Sequence, residues 1–374
     1  MKLIHLSDLH LGKRLNEFPL IDEQKDILSK VLKIIDEEKV DGVIIAGDIF
    51  DKSVASGEAI SLFDDFLSSL LSRKLKVYAI SGNHDSAERI AYGGRVMEQS
   101  NIFMSPIFDG ETKKVEVSDD FGSVNIYLLP YLRPNIVRRF YPEEEISSYT
   151  DALKLVIDNM HVNTSERNIL VCHQFVTGAE LSESEDIMVG GVDNVSAEVF
   201  KDFDYVALGH IHKAQNITKS IRYPGTLLKY SFSEAKSNKT VTIIELKNKG
   251  ELSIKEIDIK PLRDLREIKG KYDELVSKKF YEGTDTTDYL HITLTDEEEI
   301  FDVLNKLRVV YPNIMKLDYD NKRTRENKVL KLSDEQIKKP PIELFGDLYS
   351  KQNNEELSDT QKEYLDKLIE SIWR

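Results

Sequence analysis

The sequence predicts an α/β protein: a two-sheet layered fold, then a small α/β domain and a helical C-terminal tail. Three observations carry this expectation. Short apolar runs alternate with amphipathic stretches up to about residue 210, a strand-only stretch rich in Val, Ile and Thr follows, and prolines at Pro261 and Pro340-Pro341 set off what remains.

The strands are expected at Lys2–Ser7, Gly42–Ala46, Lys76–Ser81, Ser123–Leu129, Asn168–Cys172, Tyr205–Gly209, Thr240–Leu246 and Leu252–Ile259. Between the early ones, Ile27, Val31, Ile34 and Ile35 repeat at the spacing of one helix face and predict a helix over Ile21–Lys39. Gly57–Leu71, Ser86–Gln99 and Thr150–His161 read in the same way. After Pro261 comes strand, helix, strand (Tyr289–Leu294), helix (Glu297–Val310), strand (Ile314–Tyr319). Two short helices close the chain, Pro341–Tyr349 and Ser358–Ile372, with Ser358 as N-cap of the second. The expected domains are therefore 1–260, 261–330 and 331–374.

At 374 residues, 40% hydrophobic and 31% charged, the chain has the composition of an ordinary globular protein of two or three domains. No apolar run approaches the ~18 residues of a membrane span. Polar residues interrupt Met1-Lys2-Leu3-Ile4-His5-Leu6-Ser7-Asp8 before a secretory core can form, so a cytoplasmic protein is expected, with no membrane partner. The one cysteine, Cys172, excludes an internal disulfide and any multi-cysteine zinc site, and reads as a small buried hydrophobe. A net charge of −15 argues against a tight, stand-alone DNA binder, unless bound cations or a partner supply positive charge.

Chemistry concentrates in five motifs at strand ends. They are Asp8-Leu9-His10, Gly47-Asp48-Ile49-Phe50-Asp51, Gly82-Asn83-His84-Asp85, His173-Gln174 and Gly209-His210-Ile211-His212, and they hold five of the eight histidines. In an extended segment, residues two apart project to one side, so Asp8 is expected to meet a metal with His10, and His210 with His212. Asp48 ends an apolar run at a turn, where open α/β sheets place ligands. Any one motif is weak, but five in this order point to a metal site. Two Asp, one Asn and four His exceed one tetrahedral ion, whereas two ions ~3.5–4 Å apart sharing a carboxylate fit that number, with Asp48 as the natural bridge. Mixed imidazole and carboxylate ligation favours Mn, Fe or Zn, and the net positive site suits an anionic phosphodiester.

Asp8-x-His10, Gly47-Asp48-x-x-Asp51, Gly82-Asn83-His84-Asp85, His173 and Gly209-His210-x-His212 together resemble the calcineurin-like metallophosphoesterase superfamily. Within it, the segment from His5 to Gly12, Gly47 to Asp51, Tyr223-Pro224-Gly225-Thr226 and the tail Pro340-Pro341-Ile342-Glu343-Leu344-Phe345 are similar to the SbcD family of nuclease subunits, relatives of the double-strand-break repair nucleases. The resemblance implies one ion on Asp8, His10, Asp48 and His212, and another on Asp48, Asn83, His173 and His210, both usually manganese. It implies His84 as general acid or phosphate-orienting residue, and Asp85 behind the ligands, orienting an imidazole. Asp51 stands where archaeal and eukaryotic relatives often carry a histidine, and reads equally as a structural cap or an outer acceptor. Metal-assisted phosphodiester hydrolysis is implied, as ATP-stimulated 3′→5′ double-strand exonuclease and single-strand or hairpin endonuclease, serving DNA repair, recombination and replication. Residues 262–325 would cap the DNA, or serve only as an accessory lobe. Arg133, Arg138 and Arg139 would touch phosphate, or form a solvated loop or helix. The implied partners are DNA and the coiled-coil ATPase SbcC, bound through the apolar tail, in a heterotetramer containing a homodimer of this subunit. Two rivals stay open: a phosphatase of nucleotides or phosphoproteins, and a non-catalytic scaffold.

Overall fold

The computed structural model describes residues 1–185, 193–322, 341–353 and 356–372. Numbering only the strands of its three larger sheets, the first sheet contains β1 (Lys2–Leu6), β2 (Gly42–Ala46), β3 (Lys76–Ile80), β4 (Ile102–Met104), β11 (Thr240–Leu246) and β12 (Leu252–Asp258), in the order β12-β11-β1-β2-β3-β4. The second contains β5 (Lys113–Asp119), β6 (Gly122–Leu129), β7 (Arg167–His173), β8 (Tyr205–Gly209), β9 (Gln215–Asn216) and β10 (Ile221–Tyr223), in the order β9-β10-β8-β7-β6-β5. Ile44, Tyr78 and Ile244 from one sheet and Ile126, Ile169 and Tyr205 from the other form a common buried core, so the sheets pack face to face. Inside it, His5 Nδ1 lies 2.8 Å from the Tyr205 hydroxyl, and burial pushes this histidine down to about 3. It is a neutral core residue that ties the two sheets.

Helices cover both outer faces. Helix α1 (Ile21–Glu38) buries Ile27, Val31, Ile34 and Ile35 on the first sheet and ends with Lys39 in the left-handed region. Beside it, α2 (Gly57–Ser72) starts at Ser56, whose hydroxyl accepts from the Ala59 amide at 3.2 Å. On the second sheet lies α3 (Tyr149–Asp158), opened by a reciprocal capping box between Ser148 and Asp151. Within the sheets, β1, β2, β3 and β4 run parallel, as do β6, β7, β8 and β10. This alignment gathers the motif-bearing strand ends on one rim.

Besides the short strands β4, β9 and β10, which were not expected, the structure departs from the sequence expectation in three places. The stretch Ser86–Gln99 is not one helix: Gly93 takes φ 72° and splits it into Ala87–Ala91 and Gly94–Met97. The helix expected over Glu297–Val310 shortens to α4 (Val303–Arg308), because Asp302 just before it has φ 55°. Strand β5 was not expected, since only Val115 and Val117 of its charged sequence turn inward.

The lobe after Pro261 is a parallel sheet, β13 (Leu265–Gly270), β14 (Tyr289–Leu294) and β15 (Ile314–Tyr319), around Leu290, Ile292, Leu294 and Leu307. It meets the first unit where the Tyr289 hydroxyl donates to Glu23 at 2.9 Å, and where His291 lies against Phe232. The expected boundary at 330/331 falls outside the described residues. In the tail, α5 (Pro341–Asn353) and α6 (Asp359–Ile372) bury Leu357 and Leu365 and leave Leu344, Phe345, Leu348 and Leu368 exposed. Trp373, the apolar residue that follows α6 in the sequence, lies outside the described residues. No helix among those described is long and apolar enough to cross a membrane.

Candidate metal centre

The motifs lie at or just past strand ends, and in three of them the chain does not continue extended. Asp8, His10, Asp48 and His210 have φ values of 52°, 43°, 48° and 103°. Such left-handed turns at non-glycine residues cost of order 1–3 kcal/mol each and persist only where the surroundings impose them. Here the Asp8 amide donates to the Gly47 carbonyl and the His10 amide to the Asp48 carbonyl, both at 3.0 Å, which laces the two loops together. Asp8 and His10 thus converge through turns, and the alternation expected of an extended segment is not the cause. Close approach requires glycine at three motif positions, and a Cβ on Gly47 would fall 2.4 Å from His173 Nδ1. A Cβ on Gly82 would fall 2.1 Å from Asp48 Oδ1, and one on Gly209 would fall 1.9 Å from the Ala46 carbonyl oxygen.

All seven expected ligands come together. His173 Nε2 lies 2.9 Å from Asn83 Oδ1 and 3.3 Å from Asp48 Oδ2, while His210 Nδ1 lies 3.0 Å from the same Asn83 oxygen. On the other side, His10 Nε2 lies 3.1 Å from His212 Nε2 and 3.9 Å from Asp48 Oδ2. Ligand atoms of Asp8, His10 and His212 fall within 4.8 Å of one another, as do those of Asp8, Asp48 and His173. Asp48 stands between the two clusters.

The donor set fits cations. Atoms coordinating one ion at ~2.0–2.2 Å lie about 3 Å apart, the spacing found here. The His173 Nδ1–H donates to the Ala46 carbonyl at 2.8 Å, turning Nε2 toward Asp48 and Asn83. His10 Nδ1 is buried with no hydrogen-bond partner among the described residues, and Asp51 Oδ1 is 3.8 Å away.

Protons mark the same places. Burial raises Asp8 to about 7, against the opposing pull of His173. Burial alone would lower His173, but the Asp48 carboxylate outweighs it and holds the ring at about 9. Asp48 itself is pushed well below the carboxylate range, since the charge of His173 and its hydrogen bond overcome desolvation. Burial lowers His10 and His210 to about 3 and His212 well below its ordinary value, which leaves all three neutral and able to ligate.

The three remaining motif residues sit differently. His84 is at the rim with its side chain 22% exposed, its Nε2 3.9 Å from Asp48 Oδ2 and its Nδ1 3.2 Å from the Asp51 carbonyl. With His10 and Asp48 it forms a third cluster of possible ligands. Asp85 does not hydrogen-bond an imidazole. Its carboxylate accepts from the amides of Ile49 (3.1 Å), Phe50 (2.9 Å) and Gly82 (2.9 Å), joining the second and third motif loops. Asp51 accepts from Lys13 Nζ at 2.8 Å and faces the outer nitrogen of His10.

Of what surrounds these residues, the sequence singled out only Arg133. Tyr131 stacks over His210 with ring centroids 6.3 Å apart, and Arg133 lies 5.8 Å over the Tyr131 ring, which places one expected arginine on the rim. Arg138 is spent elsewhere, donating to the Ile146 carbonyl. Ser184, Glu185, Glu234 and Lys239 gather behind His212. They come from two separate stretches, Ser184-Glu185 and Glu234 to Lys239, neither of them a strand-end motif, so no local pattern marks them.

With this geometry established, comparison with known proteins is direct. Residues 1–214 match the family model described as calcineurin-like phosphoesterase, and residues 261–353 match one described as type 5 capsule protein repressor C-terminal domain. Over its full length the chain is 31% identical to the SbcD subunit of nuclease SbcCD from Staphylococcus epidermidis, covering 99% of that protein. It is 33% identical, again over its full length, to the corresponding SbcCD polypeptide of Staphylococcus saprophyticus, covering 98% of it. A dimetal phosphatase from Danio rerio aligns over 70% of this chain and 98% of that one, at 12% identity and a TM-score of 0.41. The chain belongs to the calcineurin-like phosphoesterase family, and within it to the relatives of the SbcD nuclease subunits.

Proposed function

We propose that this chain is the nuclease subunit of a complex with a coiled-coil ATPase of the SbcC type, and hydrolyses DNA phosphodiester bonds at a two-manganese site. The observation that carries the reading is the convergence of seven ligand-type side chains into two clusters about Asp48. Asp8, His10, Asp48 and His212 would hold one ion, and Asp48, Asn83, His173 and His210 the other. When bound, the ions would neutralise phosphate charge and lower the pKa of an attacking water.

The chain's own residues do the rest. His84 stands at the rim with Nδ1 3.2 Å from the Asp51 carbonyl and Nε2 3.9 Å from Asp48 Oδ2, and its imidazole would orient the phosphate or give a proton to the departing oxygen. Arg133 on the rim would meet the DNA backbone. Residues 1–260 form the nuclease domain, 261–330 cap the DNA, and 331–374 bind the ATPase through exposed Leu344, Phe345, Leu348 and Leu368. A homodimer of this subunit within a heterotetramer completes the proposed assembly. The work is that of a cytoplasmic protein associated with the nucleoid, in repair, recombination and replication, with ATP-stimulated exonuclease and hairpin endonuclease activities.

The test is a manganese-dependent assay with duplex or hairpin DNA beside a small phosphomonoester. Faster cleavage of DNA is expected. Preference for the monoester would favour a phosphatase, and no hydrolysis of either by metal-loaded protein would favour a scaffold.

A further inference from the structure

Two of the candidate ligand histidines are held from behind in different ways. The Nδ1–H of His173 goes to a sheet carbonyl, Ala46, as any strand neighbour could provide. His212 Nδ1 instead lies 2.7 Å from Ser184 Oγ, on a loop outside both sheets. That hydroxyl also lies 2.6 Å from Glu234 Oε1. A carboxylate only accepts, so the one Ser184 proton goes to Glu234 and the oxygen must accept from His212 Nδ1–H. The proton on His212 is thereby fixed at Nδ1, and the lone pair of Nε2 faces His10 and Asp8.

Glu234 is itself anchored. It is 5% exposed, and its second oxygen lies 2.5 Å from Lys239 Nζ, which is 8% exposed and also donates to the His212 carbonyl at 3.0 Å and to Thr226 Oγ1 at 2.7 Å. The next loop residue, Glu185, accepts from the His212 amide at 2.8 Å. Burying an ion pair brings a desolvation cost that an apolar pair of the same volume avoids. Here the buried pair meets His212 twice, Glu234 through the Ser184 hydroxyl and Lys239 at the His212 carbonyl.

We propose that Ser184 and Glu234 are positioning residues for His212: they select its tautomer, aim Nε2 and raise its basicity, and so set the affinity of one of the two ions. The inference rests on the reading of His212 as a ligand. It assigns the two ions unequal support, one backed by the sheet and the other by a loop.

Calorimetric titration of the metal-free, full-length chain with Mn²⁺, together with metal counting, tests this without reference to activity. The Ser184→Ala protein is expected to bind one ion about ten- to a hundredfold more weakly and the other as in wild type. Ser184→Thr, which keeps the hydroxyl, restores the affinity, and the Tm of the metal-free Ser184→Ala protein stays that of wild type. Glu234→Gln shifts the same ion in the same direction. If Ser184→Ala binds both ions with wild-type affinity while His212→Ala loses one, the positioning role is overturned and the ligand reading stands. If His212→Ala also keeps both ions at wild-type affinity, the ligand reading fails and takes the inference with it.

Discussion

Individual residues at the centre show burial and charge working against each other. Asp8 is pushed up by desolvation while Asp48, a few ångströms away, is pulled down by His173. An acid whose folded pKa lies above its unfolded value stabilises the fold fully below the unfolded value, and loses that contribution as pH rises through the folded one. Asp8, at about 7 instead of 3.8, therefore withdraws support from the metal-free protein over that window, and Asp85, at about 6, does so over a narrower one. His173 adds the same trend between 6.5 and about 9. Asp48 acts in the opposite sense, but only as pH falls below 3.8. The protons that Asp8 and His173 carry are ones a metal must displace. The Tm gained on adding Mn²⁺ is accordingly expected to grow as pH rises from about 5.5 to about 8.5, measured by calorimetry. A gain that stayed constant or shrank would contradict the protonation scheme. His84 belongs to a different class. His84→Ala is expected to lower kcat by about 10²–10⁴ while leaving metal stoichiometry unchanged, and cleavage of DNA at the wild-type rate would remove its proposed role.

Among the elements, strands were more legible than helices, and loops least of all. Gly42–Ala46, Tyr205–Gly209, Thr240–Leu246, Tyr289–Leu294 and Ile314–Tyr319 are found at their expected limits, because each is an apolar or alternating run bounded by turn residues. The edge strand Lys113–Asp119 escaped because an edge can be charged, its single pairing and two inward valines sufficing to hold it. The candidate ligand residues were legible because each ends a buried strand or stands within four residues past one, although the backbone turns that bring them together were not. Nothing local in the sequence reveals that Asp8 or His210 adopts positive φ. These loops also explain the glycines. Gly82→Ala is expected to abolish tight binding at the centre, because the new Cβ would meet the Asp48 carboxylate and backbone within 2.4 Å, and metal titration would detect the loss. In the tail, Phe345→Asp is expected to break binding to the ATPase subunit without lowering Tm, since the side chain is 46% exposed. Unchanged binding in a pull-down with that ATPase would show that the apolar face serves something else.

For the whole molecule, the acidic composition and the proposed substrate are reconciled by where charge is placed. A net charge of −15 describes the entire surface, whereas the centre gathers two carboxylates and four imidazoles that together call for cations. Two parallel strand sets, one from each sheet, end on a single rim, so the ions would sit at the seam of the sandwich and draw ligands from both halves: Asp8, His10, Asp48 and Asn83 from the first, His173, His210 and His212 from the second. The central claim is that this seam holds two ions sharing Asp48. Anomalous diffraction at the manganese edge from crystals grown with Mn²⁺ tests it most directly. Two peaks ~3.5–4 Å apart on either side of the Asp48 carboxylate are predicted. A single peak, or two peaks with Asp48 bound to only one of them, would contradict it.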